Sequence, residues 1–591
     1  MDRIPRRNRH RDPLSANLDD PTLGNGSAAP HKHRVRSLRH SLFRRPTFGG
    51  IVFGLVFWWH SIPPTLLPRA WVVQAAVSAI SFGIGYAFGT LAGYLGHRLL
   101  NRIDRRPSAE VRRLAWRILA VVAILAVIAG IAAWPGWQNE QRDLVTLPHI
   151  SRLTIVPMLA VTAILTLVFG VLGRLVWRGI RAIDRFTKRH LPFPLAMAAT
   201  VLIVIVGTSV LVRDVAFEWF VDRANTAFGT VDDSTDEGVF APTTPLASGG
   251  PESLVPWDTL GRQGRNFTAG AVSLDDLARF HGPDIEVTEP IRVYAGLRSA
   301  DSADARAELA LAELERTGAF DRSVLIVATA TGTGWIDPYA AEAVEMLHRG
   351  DTAMASIQYS YLPSWISFLV DLPVAAEAGT ALYETIYERW LELPEDDRPQ
   401  LVVFGQSLGS YGAEAAFTAA DSRSAVNNLI ARSDGALFTG PVESNPVWSL
   451  LTADRDQGSP VWKPVYDKGE TVRFATSIDD VIEPDPGWEG PRILYVHHAS
   501  DPVGVWNWQT MRARPEWMDQ PRGDDVPDGG RWFPVVTFTQ VVADLIAGFS
   551  APSGHGHDYT DVFVPAWAQV IPPDGWTSDD SRRLMDFLGR G

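Results

Sequence analysis

Five apolar stretches follow one another in the first third of the chain, near residues 48–67, 71–96, 118–134, 155–173 and 193–212. The third, ILAVVAILAVIAGIAAW, and the fifth, FPLAMAATVLIVIVGTSVLV, contain no charged residue. Each is close to the ~20 residues an α-helix needs to cross a hydrocarbon core. A helix of a soluble core keeps a polar stripe toward water and seldom runs so far without charge. The pattern therefore predicts an α-helical transmembrane domain of about five spans over 48–212. The first span is the weakest, because its dense part, FGGIVFGLVFWWH, is short and runs into Pro63 and Pro64; re-entry from one side is the alternative.

The pattern then changes twice. RDVAFEWFVDRANTAF (213–228) reads as an amphipathic helix lying along a membrane surface. GTVDDSTDEGVFAPTTPLASGGPES, acidic and rich in Pro, Gly, Ser and Thr, reads as a linker. From about residue 290, strand and helix alternate. IRVYAGL, SVLIVAT, TAMASIQYSY and QLVVFG read as strands, and GALFTG and RILYVHHA are further apolar runs. ADARAELALAELERTG, DPYAAEAVEMLHRG, VAAEAGTALYETIYERWLEL and LGSYGAEAAFTAA read as helices. Continuous apolar strands separated by helices predict a mainly parallel sheet covered on both faces. The expected division is a basic tail (1–47), the helical domain (48–212), an amphipathic segment with its linker (213–255) and an α/β domain with a mainly parallel sheet (256–591).

Charge sets the orientation. Residues 1–192 carry a net +18 and residues 193–591 a net −31. The acidic back argues against nucleic acid, whose phosphates require Lys and Arg. The tail holds 11 Lys and Arg, segment 98–117 holds 7 and segment 174–192 holds 6, while the intervening loops carry only Arg69, Arg142 and Arg152. Short basic loops remain in the cytoplasm, so everything after about Arg213 is expected on the far side of the membrane. There is no cysteine, which excludes disulfides and thiol nucleophiles. Gly85, Gly89 and Gly93, four residues apart, form a bare strip on one helix face. Packing within the chain is the preferred reading, with self-association the alternative.

Chemistry enters with VVFGQSLGSYGAE (402–414). Gly405-Gln406-Ser407-Leu408-Gly409 matches G-x-S-x-G between an apolar strand and a helix of small residues. This is the pattern of a tight strand-to-helix turn that exposes a nucleophilic serine. The N–H of Leu408, at the helix start, is placed to stabilise an oxyanion. A second donor is expected from the loop ATATGTGWIDP, at Thr331 or Gly332. A serine needs a base, and the base an orienting acid, in the chain order Ser, acid, His. Asp501, just past the strand RILYVHHA, is the expected acid, with Asp434 and the pair Asp479 and Asp480 as rivals. The loop SAPSGHGHDYTD offers His555 and His557 as bases, and either fits. His497 and His498 read as core or supporting residues. Neither a metal site nor a nucleotide motif is present, so no cofactor is expected. Trp506, Trp508, Trp517 and Trp532 are dense near the acid and Trp365 follows SYLPSW; such aromatics point to an apolar acyl pocket or to contact with a membrane interface.

PPTLLPR (63–69), SLVPWDTLGRQGRNF (253–267), GQSLGSYGAE and GHGHDY together resemble the actinobacterial membrane-anchored α/β-hydrolases, in which several spans precede a hydrolase domain. The resemblance covers nearly all of the chain except the tail. It implies a serine-hydrolase site at Ser407 with a histidine in 555–557, and supplies no substrate. The expected function is a membrane serine hydrolase acting on a lipid or acylated envelope ester outside the cytoplasm. The alternatives are an acyltransferase using the same residues, or a non-catalytic receptor or scaffold. A transporter is disfavoured by spans without internal charge.

Overall fold

The computed structural model describes residues 46–102, 108–211 and 217–589. The basic tail expected over 1–47 lies outside them, apart from its last two residues. Seven strands form one sheet: β1 (Ile291–Ala295), β2 (Val324–Thr329), β3 (Thr352–Ile357), β4 (Gln400–Gln406), β5 (Gly435–Thr439), β6 (Val472–Ala475) and β7 (Arg492–Val496). Their order is β1-β3-β2-β4-β5-β7-β6, and every pairing is parallel. The strands are continuous apolar runs because both faces are covered. In β4, Val402 and Phe404 enter one apolar layer, with Phe563 and Trp567 of the helix Phe563–Val570. Leu401 and Val403 enter the other, with Leu382 and Ile386 of the helix Leu372–Leu391. β4 therefore sits centrally, and its C-terminal end opens between β2 and β5.

Of the five expected spans, three are matched by long apolar helices among the described residues. Three helices, Trp71–Arg102, Ala109–Leu144 and Ile155–His190, are long and apolar enough to cross a membrane. Phe48–His60 has 13 residues and Phe193–Ser209 has 17. At 1.5 Å per residue the first is about 20 Å long, short of a ~30 Å hydrocarbon core. Pro63 and Pro64 explain its early end, since neither can continue a helix. Residue 212, the last of the fifth apolar stretch, lies outside the described residues, as do 213–216 of the amphipathic segment. Ile62, Ala75, Trp134 and Ile155 share one apolar cluster, so the ends of the long helices near Trp71, Leu144 and Ile155 lie together. The basic segments 98–117 and 174–192 belong to the opposite ends.

One other expectation changes and one is sharpened. Part of the acidic linker is integrated into the hydrolase domain rather than a free tether. Ala247 forms a parallel bridge with Arg292 of β1, and Asp236 receives hydrogen bonds from Arg262 and Asn266. The bare strip is largely filled from within the chain. A Cβ on Gly85 would stand 2.5 Å from the carbonyl oxygen of Phe53, one on Gly89 would strike the Gly49 carbonyl, and only Gly93 has open space. Gly85 and Gly89 thus serve the antiparallel hairpin of Phe48–His60 on Trp71–Arg102, the preferred reading of the strip.

This close approach makes an expectation. Gly89→Val lowers the thermal midpoint of the full-length protein in detergent, by the equivalent of about 1–3 kcal/mol of overpacking. Gly93→Ala leaves it unchanged. Equal midpoints for wild type and Gly89→Val would contradict the packing.

Candidate active site

Strand β4 ends at Gln406, and the helix Leu408–Ala415 starts two residues later, so Ser407 alone makes the turn. Its backbone sits at φ 55°, ψ −126°, a region that costs an L-residue about 1–3 kcal/mol. Neighbouring contacts impose this corner. The N–H of Ser407 donates to the carbonyl of Thr439 at the end of β5 (2.8 Å). The Ser410 hydroxyl and N–H donate to the Ser407 carbonyl (2.6 and 3.0 Å). A Cβ on Gly405 would lie 2.6 Å from Cα of Ser410, and one on Gly409 would strike the Thr329 carbonyl of β2. The glycines let strand and helix fold back on each other. Leu408 occupies the first helical position, so its N–H has no partner within the helix.

The elbow helix is tied to its neighbour by a buried acid. Glu414 accepts from the Asn445 amide (2.8 Å) and from the N–H groups of Val447 and Trp448 (2.6 and 3.0 Å), at the start of the helix Pro446–Ala453. Burial pushes Glu414 up to about 7, against these hydrogen bonds.

Asp501 follows β7, which lies directly beside β5, and is fully buried. One oxygen accepts from Nδ1 of His557 (2.6 Å) and from the Tyr559 hydroxyl (2.7 Å); the other accepts from the N–H of Val503 (2.8 Å). Burial alone would push the carboxyl up; the His557 ring and the hydrogen bonds from His557 and Tyr559 outweigh it and hold Asp501 below its ordinary range. Nε2 of His557 is buried and has no partner. The ring lies against the end of β5: a Cβ on Gly440 would stand 2.8 Å from its Cε1. Ser407 is bonded to Thr439, and the His557 ring lies against the next residue, Gly440.

The structure separates the two histidines. His555 Nδ1 lies 3.4 Å from Asp525, not Asp501. His498 Nδ1 donates to the Gly556 carbonyl (3.0 Å), and the ring stacks on Tyr559 (4.3 Å). His497 is buried against Trp448, and burial pushes it down to about 4. The rival acids lie elsewhere: Asp434 accepts from the N–H of Leu401 at the start of β4, and Asp480 pairs with Lys463. Of the expected oxyanion donors, Thr331 is corrected, because its N–H is engaged by the Trp335 carbonyl (3.0 Å) within the loop's own turn. Gly332 packs against the segment 362–364, where a Cβ would meet the Ser364 nitrogen at 2.8 Å.

Tyr559 was not singled out by the sequence pattern, although it stands in the GHGHDY motif. Asp337, too, carries no catalytic motif. It caps Pro338–Leu347 through the Tyr339 N–H (2.9 Å) while buried beside Gln406. The tryptophans divide. Trp506 and Trp517 are buried with Phe538, whereas Trp508 (63% exposed) and Trp365 (52%) face outward. Phe549, half exposed, packs edge-on to His557 (5.2 Å). Among the described residues no group of three or more His, Cys, Asp or Glu side chains is gathered as for a metal ion.

Residues 291–584 match the model of an alpha/beta-hydrolase family, and residues 62–271 match that family's N-terminus. Together these matches place the chain in this alpha/beta-hydrolase family. No curated protein matches it. Two solved structures align with it, an acetylxylan esterase at 0.90 Å resolution and an iodinated complex of acetylxylan esterase at 1.80 Å. Each is 14% identical and covers 31% of this chain and 84% of its own, with a TM-score of 0.19. A likeness that remote carries no argument about the reaction.

Burial raises Asp337 from 3.8 to about 6, with the Asp558 charge adding to the rise and the Tyr339, Ala340 and Gln406 contacts opposing it. Its protonated form is favoured by folding, so its contribution is complete below pH 3.8 and is lost as pH climbs to about 6. The loss amounts to roughly 3 kcal/mol. Asp337→Asn is expected to flatten the stability profile between pH 4 and 6, measured by denaturant unfolding. A variant profile parallel to wild type would contradict this.

Proposed function

We propose that this protein is a membrane-anchored serine hydrolase that cleaves an acyl ester through Ser407, His557 and Asp501. The observation that carries the reading is the His557 ring: Nδ1 is fixed on a buried carboxylate at 2.6 Å, Nε2 is buried and unpartnered, and the ring lies against Gly440, the residue after the Thr439 that accepts the N–H of Ser407. A buried imidazole nitrogen without a partner is costly unless a reacting group completes it.

Ser407 Oγ attacks the ester carbonyl as His557 Nε2 takes its proton. Asp501 holds the ring in the tautomer with a proton on Nδ1 and stabilises the imidazolium. The oxyanion receives the N–H of Leu408, with Gly332 as the second donor. His557 passes its proton to the departing alkoxide, leaving an acyl-serine. A water, deprotonated by His557, adds to that ester; collapse releases the acid and returns the proton to Ser407. An acceptor alcohol in place of water would make the same enzyme an acyltransferase. The apolar helices and the outward-facing Trp508, Trp365 and Phe549 support a lipid or acylated envelope conjugate as substrate. The basic segments at the helix ends remote from the hydrolase domain support an extracytoplasmic site.

A fluorophosphonate probe tests the chemistry. Wild type is expected to label and Ser407→Ala not, with esterase turnover falling at least ~10³-fold. No labelling of either protein would favour the scaffold reading.

The absence of cysteine allows a direct test of orientation. On intact cells, a membrane-impermeant maleimide is expected to label Asp574→Cys, at an exposed site of the hydrolase domain, and to label Arg112→Cys only after lysis. The reverse pattern would overturn the assigned topology.

A further inference from the structure

PPTLLPR (63–69) takes no part in the chemistry above, yet it is bonded into the hydrolase domain. Pro63 and Pro64 cannot extend the helix Phe48–His60, so the chain crosses to Trp71–Arg102 as a non-helical strap. The strap meets the helix Val536–Gly548. Asp544, fully buried there, accepts from the Thr65 hydroxyl (2.5 Å) and Leu66 N–H (3.3 Å) on one oxygen, and from Nε of Arg69 (2.6 Å) on the other. Arg69 also donates to Gln74 (3.0 Å) and to the Thr65 hydroxyl. Gln540, one turn earlier, donates to the carbonyls of Ser61 and Pro63 (3.2 and 3.0 Å). A buried ion pair so fully hydrogen-bonded fixes geometry, and removing one partner strands the other charge.

Val536–Gly548 in turn holds the histidine loop. Its last residue, Gly548, accepts the N–H of His557 through its carbonyl (3.1 Å). The strap also touches that loop directly. Gly556, at φ +57°, is wedged so that a Cβ would lie 3.1 Å from Cδ1 of Leu67 and 2.7 Å from Cβ of Ala551. Asp501 thus holds the ring of His557, while the strap and the helix beneath it hold its backbone.

We infer that Thr65, Leu67, Arg69 and Asp544 are positioning residues for His557, so that the helical domain sets the place of the general base as well as anchoring the enzyme. The inference rests on the reading of His557 as that base. It ties the helical part of the chain to the rate of the reaction: a shift of the Phe48–His60 and Trp71–Arg102 hairpin is carried to the imidazole.

The test uses the full-length protein in detergent micelles, with p-nitrophenyl butyrate and a fluorophosphonate as probes and thermal unfolding to count folded molecules. Thr65→Val and Leu67→Ala are mild changes; Arg69→Gln and Asp544→Asn are severe. The control is Glu345→Gln, which breaks the buried Arg292–Glu345 pair (2.6 Å) at β1. Per folded molecule, kcat is expected to fall ~10–100-fold in the strap variants, since small misplacements of a catalytic group have large effects. KM stays near wild type, and Arg69→Lys recovers part of the rate lost in Arg69→Gln. Glu345→Gln lowers the unfolding midpoint with kcat unchanged. If Thr65→Val and Leu67→Ala match wild type per folded molecule, or the control loses as much as they do, the inference is overturned while the serine hydrolase stands. If wild type neither hydrolyses the ester nor labels, both fall.

Discussion

One backbone corner organises the hydrolase half. Ser407 can hold φ 55°, ψ −126° only because its N–H and carbonyl are both engaged and glycines stand where side chains would collide. The cost, about 1–3 kcal/mol, is met by the packing of a central strand between two apolar layers. That strained position puts the hydroxyl at the strand-to-helix turn and leaves the first N–H of the next helix without a partner in that helix. The same corner leans on Thr439, and the neighbouring Gly440 admits the His557 ring. Insertion of β7 between β5 and β6 brings Asp501 to the adjacent strand end. The geometry of the site is thus a consequence of strand order as much as of local sequence.

The helical half is part of the same folded body. Leu66 and Leu67 lie in one apolar cluster with Trp506, Trp517 and Phe538, and Arg69 is neutralised by an aspartate 475 residues later. A tether would need none of this. An ion pair removed from water at the junction is useful for specificity more than for stability: it fixes how the hairpin of the helical domain meets Val536–Gly548, and so where the histidine loop begins.

Much of this was legible in the sequence, and the gaps have physical causes. The alternation of strands and helices stood out because the strands are apolar on both faces, and Ser407, Asp501 and the GHGHDY loop stood out through spacing and order. β6, VRFA, did not, since it is a short edge strand with two half-buried positions. The acidic segment looked like a tether because its composition is that of a loop, while its pairing with Arg292 depends on the sheet edge. Thr331 looked like a free donor because its turn partner Trp335 is not marked by any motif. His555 and His557 could not be separated by spacing; only the placement of Asp501 and Asp525 does that. Arg69 with Asp544, and Tyr559 on Asp501, are tertiary pairs that no local pattern encodes.

The most direct measurement is the structure of the full-length protein after reaction with a fluorophosphonate. The expected result is phosphorus bonded to Oγ of Ser407, a phosphonyl oxygen on the N–H of Leu408, and Nε2 of His557 within hydrogen-bond reach of the adduct. An adduct on another residue, or an unmodified Ser407 with the imidazole turned away, would contradict a catalytic role for this corner.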